Sequence, residues 1–116
     1  MPFPNIQPVP GDKPMVIGVE TEMFAFSTLN HYQCDISLEA LVSGDTLVLR
    51  QYVRKQEDGL FYQVGPAVTI TGQAGGGHSD GSKIYSFPMI AGLGVRVTGN
   101  QTAGVARTID WCVYKV

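Results

Sequence analysis

Residues 92–116, GLGVRVTGNQTAGVARTIDWCVYKV, decide the fold of this chain. Val95 and Val97 alternate with polar residues before a turn-rich centre, and Ile109, Trp111 and Val113 alternate after it. A period of two puts every second side chain on one face, the pattern of a half-buried strand. Two such runs around Gly, Asn and Thr predict an antiparallel hairpin. Pairing Val97 with Arg107 sets Val95 opposite Ile109 and keeps these odd-numbered apolar residues together, whereas a one-residue slip would turn them all outward. Gln101-Thr102-Ala103 is then a three-residue loop closed by Gly104, which suits a left-handed glycine. The same register sets Arg96 diagonal to Asp110 as a cross-strand ion pair.

Working outward, the alternation recurs. Residues 31–39 carry Tyr32, Cys34, Ile36 and Leu38 on one face. Residues 46–55 carry Leu47, Leu49 and Val53 on one face and Val48, Arg50, Tyr52 and Arg54 on the other. Residues 15–19 are a first strand by the same pattern, and a change of phase at Phe24 and Phe26 predicts a bulge or break near Glu22. Residues 60–64 pair back across the polar turn 56–59, Gly65-Pro66 interrupts, and 67–71 form a further strand. Pro88 intrudes into a strand over 83–90, so the end of that strand lies at an edge or bend. The stretch 72–82, GQAGGGHSDGS, reads as a mobile surface loop. No window sustains a helical period. Short strands at this spacing predict an all-β chain, a single antiparallel β-sandwich that is jelly-roll-like first and immunoglobulin-like second.

The chain has 116 residues, with hydrophobic residues at 44% and charged residues at 16%, so one domain with one core is expected. Five prolines fall within residues 1–14, which read as an extended proline-rich arm ahead of a sandwich domain over 15–116. Phe3, Ile6 and Val9 sit among those prolines and need apolar cover, on their own domain or on a neighbouring subunit, and the neighbour is the expectation. In polyproline form the arm reaches roughly 40 Å. Arg50, Tyr52 and Arg54 form a second candidate contact, because Arg and Tyr are enriched at interfaces. A solvated outer face accounts for that stripe equally well.

The net charge of −2 is spread without a basic patch, so nucleic acid is not an expected partner. No apolar run is long enough to span a membrane as a helix, and the N-terminus lacks the pattern of a secretory signal. Cys34 and Cys112 read as two free thiols, with a disulfide left as the alternative. Catalysis is not expected, and neither is a cofactor. His31 and His78 are the only histidines; His78 with Asp80 lacks a third metal ligand. Glu20 and Glu22 share a face about 7 Å apart, compatible with a carboxylate pair, but a wet sheet face explains them more simply. Tyr52, Phe61, Tyr62, Tyr85 and Phe87 are what a sugar-stacking platform or a sandwich core would need.

Two segments carry a family resemblance. SGDTLVLRQYV at 43–53 and GLGVRVTGNQTAGVARTIDWCVYK at 92–115 resemble small β-sandwich structural proteins of tailed phages and related environmental viruses. In that group a Gly-Asp-Thr turn leads an Arg-bearing strand, and a Gln-Thr-Ala-Gly turn precedes a final strand with an aromatic. The resemblance implies a virion location and a capsid-associated role as a decoration (cement) protein, or as a vertex or tail component. It implies the major capsid protein or other virion subunits as partners, in a homo-oligomer for which a trimer is favoured. The alternative from another class is a glycan-binding module of a virion fibre or vertex.

Overall fold

The structure, a computed structural model, describes residues 7–56 and 59–115. Among them are strands β1 (Gln7–Pro14), β2 (Thr21–Phe26), β3 (Asn30–Ser37), β4 (Thr46–Val53), β5 (Tyr62–Thr71), β6 (Ile84–Ser86), β7 (Ile90–Gly92), β8 (Val95–Ala103) and β9 (Thr108–Lys115), and no helix. One sheet runs β1-β9-β3, with β6 and β7 both on the far side of β3; the other runs β2-β8-β4-β5. Every pairing is antiparallel. The chain changes sheet at each connection except β4 to β5 and β6 to β7. This is the jelly-roll order of interleaved Greek keys, the first of the two expected sandwiches.

The C-terminal hairpin does not form. β8 lies between β2 and β4, while β9 lies between β1 and β3 in the opposite sheet. Val95, Val97, Ile109 and Val113 are all buried, but they meet across the sandwich instead of sharing one face of a ribbon. Side chains supply what a hairpin ladder would have supplied. Buried Gln101 donates from Nε2 to the carbonyls of Ala103 and Val105, and its Oε1 accepts from the Arg107 amide. The connection between the sheets therefore keeps its backbone polar groups paired, as burial demands. With the strands separated, Arg96 pairs with Glu22, 2.8 Å away, and not with Asp110.

The N-terminal region also differs from its reading. Gln7–Pro14 is an edge strand paired with β9 along its whole length, with Val9 opposite Val113. Pro8, Pro10 and Pro14 share one parity, so their missing donors all fall on the side turned away from β9, and the ladder tolerates them. Residues 15–19 form a turn instead of the first strand: Met15 is buried and its amide donates to the Arg107 carbonyl, while Val16, Ile17 and Val19 are exposed. Their alternation matches a strand, but β1 already occupies the open side of β9. Phe3 and Ile6 lie outside the described residues.

Elsewhere the alternation translates directly. Tyr32, Cys34, Ile36 and Leu38 face inward from β3 and the connection after it, and Leu47, Leu49 and Val53 face them from β4. Each fully buried aliphatic side chain contributes roughly 1.5–3 kcal/mol relative to exposure. The register of β2 on β8 shifts between Glu22 and Phe24, which lets both Met23 and Phe24 point inward. Gly65-Pro66 is accommodated as an irregularity opposite Arg50, so the two short strands expected there are the single β5. Pro88 splits β6 from β7; between them the Phe87 amide still donates to Cys34 at 2.9 Å.

Residues 72–82 lie largely at the surface and carry their own set of backbone hydrogen bonds. Gly77 donates to the Leu41 carbonyl, Gly76 to Gln73 and His78 to Ser82. Gly76 and Gly77 are buried. Both cysteines are free. Cys34 lies opposite Val113 and Cys112 opposite Asp35, which puts the thiols on opposite faces of one sheet and rules out a bridge between them.

Candidate functional site

The outer face of β2, β8 and β4 concentrates the polar side chains. Alternation turns Arg50 and Tyr52 out of β4, with Arg54 just past its end, and Arg96 and Thr98 to the same side of β8, with Thr98 opposite Arg50 and Arg96 opposite Tyr52. Glu20 closes over them from the turn before β2. Its Oε2 accepts from the Tyr52 hydroxyl at 2.6 Å and from the Thr98 hydroxyl at 2.5 Å. The Arg96 guanidinium lies 5.1 Å above the Tyr52 ring while its Nε holds Glu22. This is a cation–π contact on a hydrogen-bonded phenol.

The hydrogen bonds from Thr98 and then Tyr52 hold the Glu20 carboxyl below its ordinary range. The bond to Glu20, with burial, pushes the Tyr52 phenol above its ordinary value. The two groups are driven apart, away from the neutral range in which a proton-transfer pair works. Glu20 and Glu22 are held by different partners, the Tyr52 and Thr98 hydroxyls for the first and Arg96 for the second.

The stripe anticipated from sequence is one surface with two kinds of residue in it. Arg54 serves the fold: its Nε donates to the Leu93 carbonyl at 3.1 Å and its Nη2 to that of Ser27 at 2.8 Å, tying two interstrand connections together. Arg50 and Tyr52 belong to the Glu20 cluster. Glu20, offered by the sequence only as a neighbour of Glu22, completes the cluster with Arg96 and Thr98, and their meeting was not legible because cross-strand neighbours follow from register and not from spacing.

The other candidates disperse. Among the described residues no group of three His, Cys, Asp or Glu side chains could hold a metal ion. His78 is part of its loop, where its Nδ1 accepts from the Ser79 amide at 2.9 Å, and Asp80 caps the Ser82 amide. Of the aromatic set, Phe87 is buried and meets Tyr85 edge-on at 4.9 Å, Tyr52 is engaged with Glu20, and Tyr62 is exposed. They form no common stacking surface. Val9 sits half-buried on the edge strand β1.

No family model matches the chain, and no curated protein matches it. Among solved structures, a chain in the structure of infectious bursal disease virus, Gx strain, is similar in fold, with a TM-score of 0.50 at 11% sequence identity. The alignment covers 99% of this chain and 33% of that one, so this chain spans about a third of the viral chain it resembles.

Proposed function

We propose that this chain is a structural protein of a virus particle, a capsid-associated decoration or cement protein that stabilises the shell through contacts between subunits. The observation that carries this reading is the jelly-roll order of the two sheets, with nearly the whole chain matching part of a viral chain. The polar surfaces agree with it. On the face of β2, β8 and β4, Arg96 pairs with Glu22 while Glu20 accepts from the Tyr52 and Thr98 hydroxyls, an arrangement suited to packing and not to turnover. The chain acts without catalysis or cofactor in this reading.

The N-terminal region would add the contact to a neighbouring subunit, with Phe3 and Ile6 beyond the edge strand that Val9 anchors, in a homo-oligomer such as a trimer. Arg50 and Tyr52 offer a second polar contact to the major capsid protein. The test is quantitative proteomics on purified particles of the virus that encodes the chain. A fixed ratio to the major capsid protein is expected, together with a lower disruption temperature for particles that lack the chain. Its absence from purified particles overturns the proposal, and saturable binding to defined glycans with no effect on particles would favour the glycan-binding alternative.

A further inference from the structure

The far edges of the two sheets leave an apolar groove between β5 and the β6–β7 link, with a volume of about 330 Å³. That lies within the usual size of ligand pockets, about 300–1,000 Å³. Val64, Pro66 and Val68 form one wall and Pro88, Met89 and Ile90 the other, and no charged residue lines it. Met89 is 58% exposed and Val64 36%. One polar side chain lies in the groove. Gln51 is 3% exposed, and its amide makes a single contact among the described residues, from Nε2 to Cys34 Sγ at 3.7 Å. Its Oε1 accepts no hydrogen bond from any described residue and is not a fully buried atom, so it is an acceptor available to a group that fills the groove.

We infer that this groove receives residues 1–6, MPFPNI, of a second copy of the chain. The inference rests on the arm-docking reading above and names its receptor. The segment has no charged side chain and sets Phe3 and Ile6 among prolines, so an uncharged, largely apolar segment meets an uncharged apolar groove, with a backbone amide to offer Gln51. Reach decides between the chain's own groove and a neighbour's. Gln7 lies opposite Lys115, Lys115 opposite Tyr32 and Tyr32 opposite Ile90, in one row across the sheet. That row is three interstrand steps, roughly 14 Å. Phe3 stands four residues before Gln7, and four extended residues span at most roughly 14 Å. Stretched straight along the row, Phe3 would only arrive at Ile90, and Ile6 would remain at the β1 edge. One chain cannot place both side chains in its own groove; a second copy meets no such limit. Donor and receptor lie on opposite edges of the sheet, so contacts repeated in one sense run head to tail, as a ring where the rotation closes and as an open filament where it does not.

The test titrates a synthetic peptide of residues 1–6 into the full chain carrying Phe3→Asp, with methyl-labelled methionine observed by NMR. The Met89 methyl should shift saturably while the buried Met15 and Met23 stay in place, and a peptide with Phe3→Ala should bind about tenfold more weakly or worse. In the unsubstituted chain, Met89→Asp should abolish self-association measured by sedimentation equilibrium as fully as Phe3→Asp does, with the circular dichroism unchanged. A still Met89 methyl, or equal binding of a scrambled peptide, overturns the groove assignment. If Phe3→Asp abolishes association and Met89→Asp does not, arm docking stands and the groove is wrong. If neither variant changes association, both fall.

Discussion

Arg107 Nε lies 2.8 Å from Asp45 Oδ2, joining the connection between β3 and β4 to the connection between β8 and β9. The Asp45 side chain is 1% exposed and that of Arg107 28%. Asp45 also accepts from the amides of Val42 at 2.9 Å and Val105 at 3.2 Å. One carboxylate thus pins the crossing that keeps β8 and β9 in different sheets. Asp45→Ala would leave two amides and a guanidinium without their acceptor and should cost about 2–4 kcal/mol, read from urea denaturation.

Acid should act on the same group. Burial pushes Asp45 up, but the bonds from Val42, Arg107 and Val105 outweigh it and leave the carboxyl below its ordinary value of 3.8. A lowered native pKa gives stability that is present above the unfolded value and lost as pH falls through the native one. The unsubstituted chain should therefore lose more stability below about pH 4 than Asp45→Asn does. Parallel thermal melts of the two as pH falls would contradict this.

Gly104 has φ +92°, and a Cβ there would overlap Asp45 Oδ1. Gly104→Ala should cost at least about 1–3 kcal/mol from backbone strain, with displacement of Asp45 added to it. An unchanged urea midpoint would show that the crossing tolerates a side chain.

Trp111 rests on Gly11, whose added Cβ would strike the indole ring, and its ring centroid lies 4.5 Å from that of Phe24 in the other sheet. Trp111→Ala should cost about 3–5 kcal/mol by opening a cavity between the sheets. A loss below about 1 kcal/mol, the range of surface substitutions, would place the ring outside the core.

The two thiols should differ in reactivity. Burial pushes the Cys34 thiol up to about 12, while Cys112 is partly exposed on the outer face. A thiol reagent should modify Cys112 in the native state and Cys34 only on unfolding. Mass spectrometry of the native adduct decides it; equal labelling of both would contradict the packing.

Arg54 should behave as part of the fold. Losing its bonds to Leu93 and Ser27 should lower stability by about 1–2 kcal/mol in Arg54→Ala. Arg50→Ala should leave the melting temperature nearly unchanged, as is usual for an outer-face substitution. Equal melting temperatures for the two variants would remove the distinction.

The sequence alone carried the strand class, the inward faces of β3 and β4, the bulge near Glu22 and the edge or bend at Pro88, though not the division there into β6 and β7, because each is a local consequence of side-chain period or of a missing donor. It could not choose the partner of each strand. Residues 92–116 have the alternation of a hairpin, and the same alternation serves two strands facing each other across a core. What holds β8 apart from β9 is the buried Gln101 and Asp45 together with the half-buried Arg107, contributed from positions 45, 101 and 107. Likewise, residues 15–19 alternate as a strand does, but tertiary pairing gave the place beside β9 to the prolines of β1, whose shared parity the ladder permits. The polar cluster around Glu20 is a product of register, and the groove above Gln51 of the gap between two sheet edges. Period is written along the chain; adjacency is settled only when every strand competes for the same few edges.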